Sequence, residues 1–450
     1  MDINTDTARE LLEKAKKRGA TEGDIIIVEG ELSSVQVRLS AIEKITDSRF
    51  KTLGMRLFFD KRSAITSTSD FSPDSLDRLI EDTCSMAKLT ASDEYAGLPL
   101  RQYGQFGIKS KDLEVYDDYV HSLSIEEMIE GAKEAEAAAF RYDPRITNSD
   151  SGDFTKRYTH VIYANTNSSS GDYRTSLFSL SVTPVAAMNG QMQRDYWSST
   201  KRRFNQLDKP AHVGEVAAMR TVRRLGAKKV HTQRAPVVFD PETASSLLGN
   251  LCIALSGHSL YKGASFLLGM LNKQIASPDV TIYDDGTIPW GIGSRPLDAE
   301  GVPTRKTTIV EKGVLTSYLL DSYSARKLNL ASTGNASRSP GEPPVAAPTN
   351  FYLAPGNHSP SDIIKSVDSG LYVTELIGFG FNPITGDYSR GAVGVWIENG
   401  ELTYPVEEIT IAGNIKEMLM QIEMVGNDLD FRQKICSPTI KIERLTIAGH

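Results

Sequence analysis

The chain has 450 residues, 40% of them hydrophobic and 24% charged, with a formal net charge of −7. This composition is typical of a soluble globular protein with two or three domains. Net negative charge excludes general attraction to a nucleic-acid backbone, which would need a local basic patch, and no apolar run is long enough to span a membrane.

Cysteine use indicates the compartment. Cys84, Cys252 and Cys436 are far apart, odd in number and outside any CxxC motif. A disulfide framework is therefore disfavoured, which fits a reducing compartment. The N-terminal stretch "MDINTDTARE" is polar and does not resemble a signal peptide. We expect a cytoplasmic protein.

The first part of the chain alternates helix and strand. A helix is predicted over 5–19, followed by strands at 24–30, 34–40 and 53–59. Ser72 as N-cap and the following proline predict a second helix. This pattern is typical of strands covered by helices.

The middle part begins after a polar, turn-rich stretch at 90–123, which we interpret as a linker. Ser124 and Glu127 have the spacing of a capping box, so a helix is predicted to follow. Strand-like segments come next, with a hairpin predicted at Asn189-Gly190 and a helix over 212–225.

The last part is rich in predicted strands. A hairpin is predicted at 392–406, turning at Asn399-Gly400, and a helix at 415–424 with Asn414 as its cap. The stretch 332–356 holds five prolines and three glycines. Its length and composition indicate either an ordered loop over a functional surface or a flexible flap.

Together these elements predict an α+β fold with large mixed or antiparallel sheets. We expect an N-terminal α/β domain at 1–100, a middle domain at 115–225 and a β-rich C-terminal domain at 230–450.

The stretch "IALSGH" raises the question of a metal site. Asp240 and Pro241 are typical of a helix start, and apolar residues follow at helical spacing. Gly257 is predicted to end this helix, which would leave His258 just past its C-terminus. A histidine is favoured there as a cation without any metal.

Sequence motifs give little support for catalysis by this chain alone. A catalytic zinc usually has about three protein ligands and a nearby carboxylate base, and neither HExxH nor HExxxH occurs. The other histidines are isolated, although a site built from distant positions stays open. No phosphate-binding P-loop or GxSxG elbow is present.

Two further groups of residues have both a functional and a structural interpretation. The basic group Arg220, Arg223, Arg224, Lys228 and Lys229 could contact nucleic acid, but it lacks interleaved aromatics, and a solvated helix end is favoured.

The second group is the loop "GDYSRGA", with Asp387, Tyr388, Ser389 and Arg390. Arg390 could bind a carboxylate with both ends of its guanidinium, or it could belong to an ion-paired turn.

Several long stretches resemble the TldD/PmbA family, described both as modulators of DNA gyrase and as zinc-dependent proteases. The resemblance covers nearly the whole chain. It is most specific in "GFGFNPITGDYSRGAVGVWIENGELTYPVEEITIAGN", "PTNFYLAPG" and "LNLASTGNASR". The wording "GDYSRGA" and "EEITIAGN" is similar to the PmbA branch, also called TldE.

The resemblance implies a role for this chain that depends on a partner. The TldD branch carries HExxxH and a cysteine near the C-terminus that completes the metal site, and the PmbA branch lacks that site. At the motif positions this sequence has Ile253, Ala254 and His258. Because Cys436 lacks the glycine-rich surroundings found in TldD, the ligand role is not transferred to it.

The expected function is therefore that of a subunit without its own metal in a two-component protease that acts on unfolded peptides. No cofactor is expected in this chain, and zinc is expected in a TldD-like partner with which it forms a heterodimer. Alone it could form a homodimer. Contact with nucleic acid or a membrane is not expected.

Two alternatives stay open: an independent metallopeptidase that uses His258 with unidentified ligands, and a non-enzymatic peptide-binding or regulatory protein. The expected substrate-binding residues are Asp387, Ser389, Arg390, Asn335 and Arg338.

Overall fold

The computed structural model describes residues 4–100 and 110–450, and it confirms the predicted α+β class with large antiparallel sheets. The helices are α1 (Thr5–Lys17), α2 (Pro73–Leu89), α3 (Ser110–Leu113), α4 (Tyr119–Ser122), α5 (Ile125–Tyr142), α6 (Pro210–Val222), α7 (Pro241–Leu255), α8 (Gly257–Tyr261), α9 (Ser322–Lys327), α10 (Pro360–Lys365) and α11 (Ile415–Met420).

The strands of the first half are β1 (Glu22–Arg38), β2 (Ala41–Phe59), β3 (Arg62–Thr68), β4 (Ile146–Asn165), β5 (Ser170–Met188), β6 (Gln191–Arg194) and β7 (Trp197–Lys201). Those of the second half are β8 (Gln233–Phe239), β9 (Ile282–Asp285), β10 (Lys306–Glu311), β11 (Val314–Leu315), β12 (Ala336–Ser337), β13 (Val345–Ala346), β14 (Phe351–Leu353), β15 (Ser369–Ile377), β16 (Asp387–Glu398), β17 (Glu401–Asn414), β18 (Ile422–Val425), β19 (Ile435–Cys436) and β20 (Ile440–Ala448).

One antiparallel sheet runs through the first half of the chain, in the order β3-β2-β1-β4-β5, with β6 and β7 both paired to β5. The two strands predicted at 24–30 and 34–40 are a single strand, β1. The turn lies instead at Leu39 and Ser40, which both have positive φ, as a two-residue hairpin with a right-handed twist requires.

Helices cover this sheet at two places. Helices α1 and α2 enclose one apolar cluster, and α5 and α6 lie over another. The capping box predicted at Ser124 and Glu127 is present at the start of α5. A Cβ atom on Gly214 would lie 2.1 Å from the carbonyl oxygen of Ala135, so glycine allows α5 and α6 to pack backbone against backbone.

The C-terminal region is β-rich, as predicted. Strands β17-β16-β15-β8-β20 form a sheet that closes on itself because β17 also pairs with β20, and β18 extends it from β20. A second sheet has the order β11-β10-β9-β14-β19. Helix α7 contacts strands of both sheets, and its apolar side belongs to the largest apolar cluster of the chain.

Two predicted elements in this region differ from the structure. The helix predicted at 415–424 is capped by Asn414 but ends at Met420, because the chain then enters strand β18. The proline-rich stretch 332–356 contains the short strands β12, β13 and β14, and its Asn335, Thr349 and Asn350 are buried and hydrogen-bonded. It is therefore an ordered part of the C-terminal region.

A buried charge network joins the first sheet to the C-terminal region. The carboxylate of Asp24 on β1 accepts hydrogen bonds from Arg56 on β2 and from Arg338, whose Nη2 lies 3.0 Å away. Arg56 also donates to Glu300 at 3.2 Å, and Tyr163 on β4 donates to the Glu300 carbonyl at 2.7 Å. Because Glu300 and Arg338 belong to the C-terminal region, these bonds fix its position against the sheet.

Part of the linker predicted at 90–123 lies outside the described residues, at 101–109. Within the described ranges, every helix is too short or too polar to cross a membrane.

Candidate functional site

Helix α7 ends within the stretch "IALSGH", and its local sequence explains where the helix begins and which side it buries. Asp240 caps the first turn by accepting a hydrogen bond from the Thr243 amide at 2.8 Å, and Pro241 opens the helix. Every fully apolar position predicted for the core side is buried: Ala244, Leu247, Leu248, Leu251 and Leu255. The opposite side, which we call the outer face of α7, carries Ser246, Asn250 and Ile253.

The capping carboxylate has an unusual pKa. Burial raises the pKa of Asp240 to about 6, against the opposing effects of the Thr243 hydrogen bonds and of Arg220, with Nη1 3.8 Å away, while the nearby Glu242 adds to the rise. A carboxyl whose pKa is higher in the folded than in the unfolded state binds more protons when folded. The free energy of unfolding therefore decreases as pH rises from the usual pKa of an aspartate, 3.8, to the raised pKa of about 6.

We expect Asp240→Asn to remove this pH dependence. Asparagine is also a good N-cap, so the helix start should be kept. Between about pH 4 and 6, the free energy of unfolding should fall less steeply with rising pH in the variant than in the unchanged protein. Denaturant titrations at several pH values measure this, and an unchanged slope would contradict the assignment.

The end of α7 differs from the prediction. The helix stops at Leu255, Ser256 is extended with ψ 130°, and Gly257 begins the short helix α8. A Cβ atom on Gly257 would lie 2.2 Å from Ser324 Oγ, so this glycine permits close contact with α9. His258 consequently lies at the beginning of α8, and the favourable interaction expected at a helix C-terminus does not apply.

The residues at the positions that correspond to the TldD motif do not fit a catalytic zinc. The side chain of Ile253 is 50% exposed but has no donor atom, and Ala254 is completely buried. The exposed His258 has its Nδ1 3.1 Å from the Tyr261 hydroxyl. Over residues 4–100 and 110–450, no three His, Cys, Asp or Glu side chains converge in a geometry that could hold a metal ion.

The two cysteines of this region have structural surroundings. Burial raises the pKa of the Cys252 thiol well above its usual value, and Cys252 packs in the core. Burial also raises the pKa of Cys436 in β19, whose Sγ donates to the Gln433 carbonyl at 3.1 Å. Both thiols are enclosed by the fold, as is typical of structural cysteines.

Asp387, Ser389 and Arg390 were predicted to lie in a loop, but they form the start of strand β16, beside the outer face of α7. Arg390 donates to Ser246 Oγ at 2.7 Å and to the Leu376 carbonyl at 3.0 Å, so its guanidinium fastens β16 to α7. Asp387 is exposed and accepts from Thr385 and Asn414, and these bonds lower its pKa. The Ser389 side chain is exposed.

We expect Arg390→Met to lower the free energy of unfolding by about 1–3 kcal/mol, since two charged hydrogen bonds are lost while the buried alkyl stem is kept. A denaturant titration measures the change. A matched exposed substitution, Arg9→Met on α1, should have almost no effect, because its ion pair with Asp6 is solvent-exposed. Equal stability of the two variants would exclude this role for Arg390.

Asn335 and Arg338 do not lie with Asp387, Ser389 and Arg390 but in the polar interior. Asn335 is buried and donates to Asp284 at 2.7 Å. The side chain of Arg338 is 1% exposed and pairs with Asp24. The five expected substrate-binding residues therefore do not form one surface: Asp387, Ser389 and Arg390 lie together, and the other two support the fold.

Exposed apolar side chains surround the outer face of α7, a feature that the sequence reading missed. We call this set the apolar rim. Each of its members is at least 50% exposed: Ile253, Leu268, Ile377, Phe379 and Ile384. The hydrogen bond from the Phe266 amide to the Pro383 carbonyl, 2.8 Å long, joins the two loops that carry most of them. The stretch "GFGFNPITG" carries Phe379 and Ile384, but its glycines and proline indicated only a turn, and nothing in the sequence indicated that these apolar side chains are exposed.

Three members of the basic group singled out in the sequence, Arg220, Arg224 and Lys229, pair with carboxylates. Arg224 pairs with Glu375 at 2.6 Å and Lys229 with Glu408 at 2.7 Å. Arg220 is buried among Asp195, Asp240 and Glu242. The group therefore belongs largely to the fold, but it is not the solvated helix end favoured from the sequence, because Arg220 is buried and the side chain of Arg224 is only 12% exposed.

Comparison with known domain families gives matches along most of the chain. The PmbA/TldA metallopeptidase domain 1 matches residues 23–87, the central domain of the same family matches 118–225, and its C-terminal domain matches 232–449.

Individual relatives agree with these matches. The chain is 38% identical to the Escherichia coli protein named metalloprotease PmbA, over 92% of this chain and 90% of that protein. It is 33% identical to a Buchnera aphidicola metalloprotease TldD homolog over 53% of each chain.

Two solved structures are similar over almost their whole length. A Bacteroides thetaiotaomicron protein named as a modulator of DNA gyrase has a TM-score of 0.92 and 27% identity, with all of both chains covered. TldE from Thermococcus kodakarensis has a TM-score of 0.88 and 24% identity over 98% of this chain and 99% of that one, and this second likeness shows the fold.

Proposed function

Because the chain belongs to the PmbA/TldA metallopeptidase family, called TldD/PmbA above, we propose that it is the subunit of a two-component protease that holds no catalytic metal. In this proposal it pairs with a zinc-bearing TldD-like chain, and the pair processes unfolded peptides. The observation that carries the proposal is the replacement of the His-Glu pair by Ile253 and Ala254.

The chemistry of these positions supports the absence of a catalytic metal. Zinc in a peptidase needs nitrogen, oxygen or sulfur ligands and a base that activates water, and an isoleucine and a buried alanine supply neither. His258 offers one imidazole, which is too few ligands for a zinc ion.

The apolar rim supports a partner at the outer face of α7. Monomeric soluble proteins rarely expose several large apolar side chains side by side, and such surfaces usually mark interaction sites. Phe379 is fully exposed in the β15–β16 loop, two residues after the end of β15, and would lose its contact with water in a complex.

The free edge of β2 supports an extended, unfolded substrate. Strand β3 pairs only with residues 53–59 of β2, so the edge of 41–52 has no neighbouring strand among the described residues. An extended peptide can add to such an edge through main-chain hydrogen bonds, which select unfolded chains over particular sequences.

Co-expression with a TldD-like chain tests the pairing. We expect a mixed dimer that survives size-exclusion chromatography, and we expect Phe379→Asp to weaken it, because a carboxylate would be buried in the interface. The matched control is Leu89→Asp on α2, an 87% exposed position far along the chain from the rim. Homodimers only, with the activity of the partner unaffected, would contradict the proposal.

A further inference from the structure

A cavity of about 610 Å³ lies at the N-terminal end of α7, between the first sheet and the C-terminal region. Strand β7 and helix α6 form one side, and the first turn of α7, strand β15 and the segment 428–437 form the other. Its volume is in the usual range for small-molecule sites. None of the residues expected from the sequence to bind substrate lines it.

Carboxylates outnumber arginines around this cavity within the described residues. The lining includes Arg220, Arg223 and Arg432 against four carboxylates, and Asp195 lies directly behind Arg220. The four are Asp240, Glu242, Asp428 and Asp430. The surplus of negative charge favours a ligand that carries an ammonium group.

Two of these carboxylates are accessible to such a group. The side chain of Glu242 is 35% exposed and that of Asp430 is 49% exposed. Glu242 accepts from Tyr196 and pairs with Arg220, and Asp430 pairs with Arg432, but a partly exposed carboxylate can accept further hydrogen bonds from a ligand. Asp240 is buried and held by Thr243, and both carboxylate oxygens of Asp428 are held by Thr439. An ammonium group would therefore bind at the Glu242 and Asp430 side of the cavity.

The arginines differ in how far they are satisfied. Arg220 has three carboxylates within 4 Å, on Asp195 at 3.3 Å, Glu242 at 3.2 Å and Asp240 at 3.8 Å, so its charge is well compensated although its Nε makes no hydrogen bond with a described residue. Arg432 pairs with Asp430 at 2.6 Å.

Arg223 is the exception. Its closest carboxylate oxygen, on Asp195, is 4.0 Å away, and its Nε and Nη2 make no hydrogen bond with any described residue. Burial, followed by repulsion from Arg220, lowers its pKa. Nε and Nη2 are themselves buried, but the side chain as a whole is 27% exposed where it lines the cavity. A carboxylate from a ligand would therefore approach the third nitrogen, Nη1, and would offset the repulsion from Arg220.

The remaining wall suits the uncharged middle of a ligand. Tyr196, Trp197 and Tyr372 line it, and the guanidinium of Arg432 lies 3.7 Å from the centre of the Trp197 ring. Aromatic rings contact a peptide backbone and small side chains without selecting among them.

We propose that this cavity binds a short peptide with a free amino end and a free carboxyl end. Arg223 takes the carboxylate, and Glu242 with Asp430 takes the ammonium group. The site is separate from the outer face of α7 and does not depend on the partner subunit, so it stands or falls independently of the proposed function.

Isothermal titration of the isolated full chain with triglycine tests this assignment. We expect saturable binding with one site per chain, at least 10-fold weaker binding of N-acetyl-triglycine amide, and at least 10-fold weaker binding of triglycine to Arg223→Gln, as loss of one charged hydrogen-bonded contact predicts. The matched control is Arg203→Gln. Arg203 stacks on Trp290 outside the cavity, and its replacement should leave the affinity within about two-fold.

A second variant, Met219→Trp, tests the cavity independently in case Arg223→Gln does not fold. Met219 on α6 is 45% exposed and lines the cavity, so Met219→Trp fills space there without removing a charge. It should also weaken triglycine at least about 10-fold while the melting temperature stays near that of the unchanged protein. No binding of triglycine, equal binding of the blocked peptide, or full affinity in folded Arg223→Gln and Met219→Trp would each overturn the proposal.

Discussion

Replacement of Asp24 by asparagine is expected to lower the free energy of unfolding by about 3–5 kcal/mol. Asp24 is completely buried and accepts hydrogen bonds from both Arg56 and Arg338. Burial alone would raise its pKa, but Arg338 and Arg56 together hold the pKa below its usual value. Asparagine keeps the shape but leaves the guanidinium of Arg338 buried without a carboxylate.

Denaturant titration at neutral pH measures this change, and an exposed ion pair supplies the control. Asp77 pairs with Lys14 at 2.7 Å on the surface, and Asp77→Asn should change stability by less than about 1 kcal/mol. Because the pKa of Asp24 is lowered in the folded state, its contribution is present at neutral pH and is lost as pH falls through that pKa. Similar losses in both variants would show that the network does not join the two regions.

The second large effect concerns catalysis by the pair. Replacing the glutamate of HExxxH in the TldD-like partner by glutamine should reduce hydrolysis of an unfolded peptide by about 10²–10⁴-fold, the usual loss when a general base is removed. The same assay with His258→Ala in this chain should give hydrolysis within about two-fold of the unchanged pair, because His258 belongs to no metal-ligand set among residues 4–100 and 110–450.

The two substitutions are comparable in location: one is in the HExxxH motif of the partner, and the other is at the corresponding stretch of this chain. Complex formation measured by size-exclusion chromatography controls for loss of assembly. A loss of activity with His258→Ala as large as that of the partner variant would assign catalysis to this chain.

Local signals in the sequence predicted much of the fold. The capping box at Ser124 and Glu127, the hairpin at Asn399-Gly400 and the N-cap at Asp240 each depend on residues within four positions of one another. The buried side of α7 also followed from spacing alone. Such features are decided by backbone preferences that operate in any context.

Features that depend on distant contacts could not be predicted in this way. Gly257 was predicted to end α7, but the helix already stops at Leu255 and Gly257 opens α8, where it permits a close contact with Ser324 of α9 that the local sequence does not reveal. Arg338 was interpreted as a substrate contact, while its partner Asp24 is 314 residues away. Likewise, the basic group around Arg220 gave no indication of the carboxylates that pair with Arg220 and Arg224, which come from other elements.

The candidate site was predicted in part. The sequence singled out Asp387, Ser389 and Arg390, but as a loop before a hairpin, whereas they begin its first strand, β16, and Arg390 attaches that strand to Ser246 on α7. The apolar rim and the cavity at the start of α7 were missed, because both arise where separate segments meet.

Zinc analysis is the most direct test of the central claim, which is that this chain lacks a catalytic metal and depends on a partner that has one. The isolated chain is purified without added metal or chelator, and the purified pair is treated in the same way. We predict far less than one zinc ion per isolated chain and about one per pair. About one zinc ion per isolated chain, lost on His258→Ala, would contradict the account.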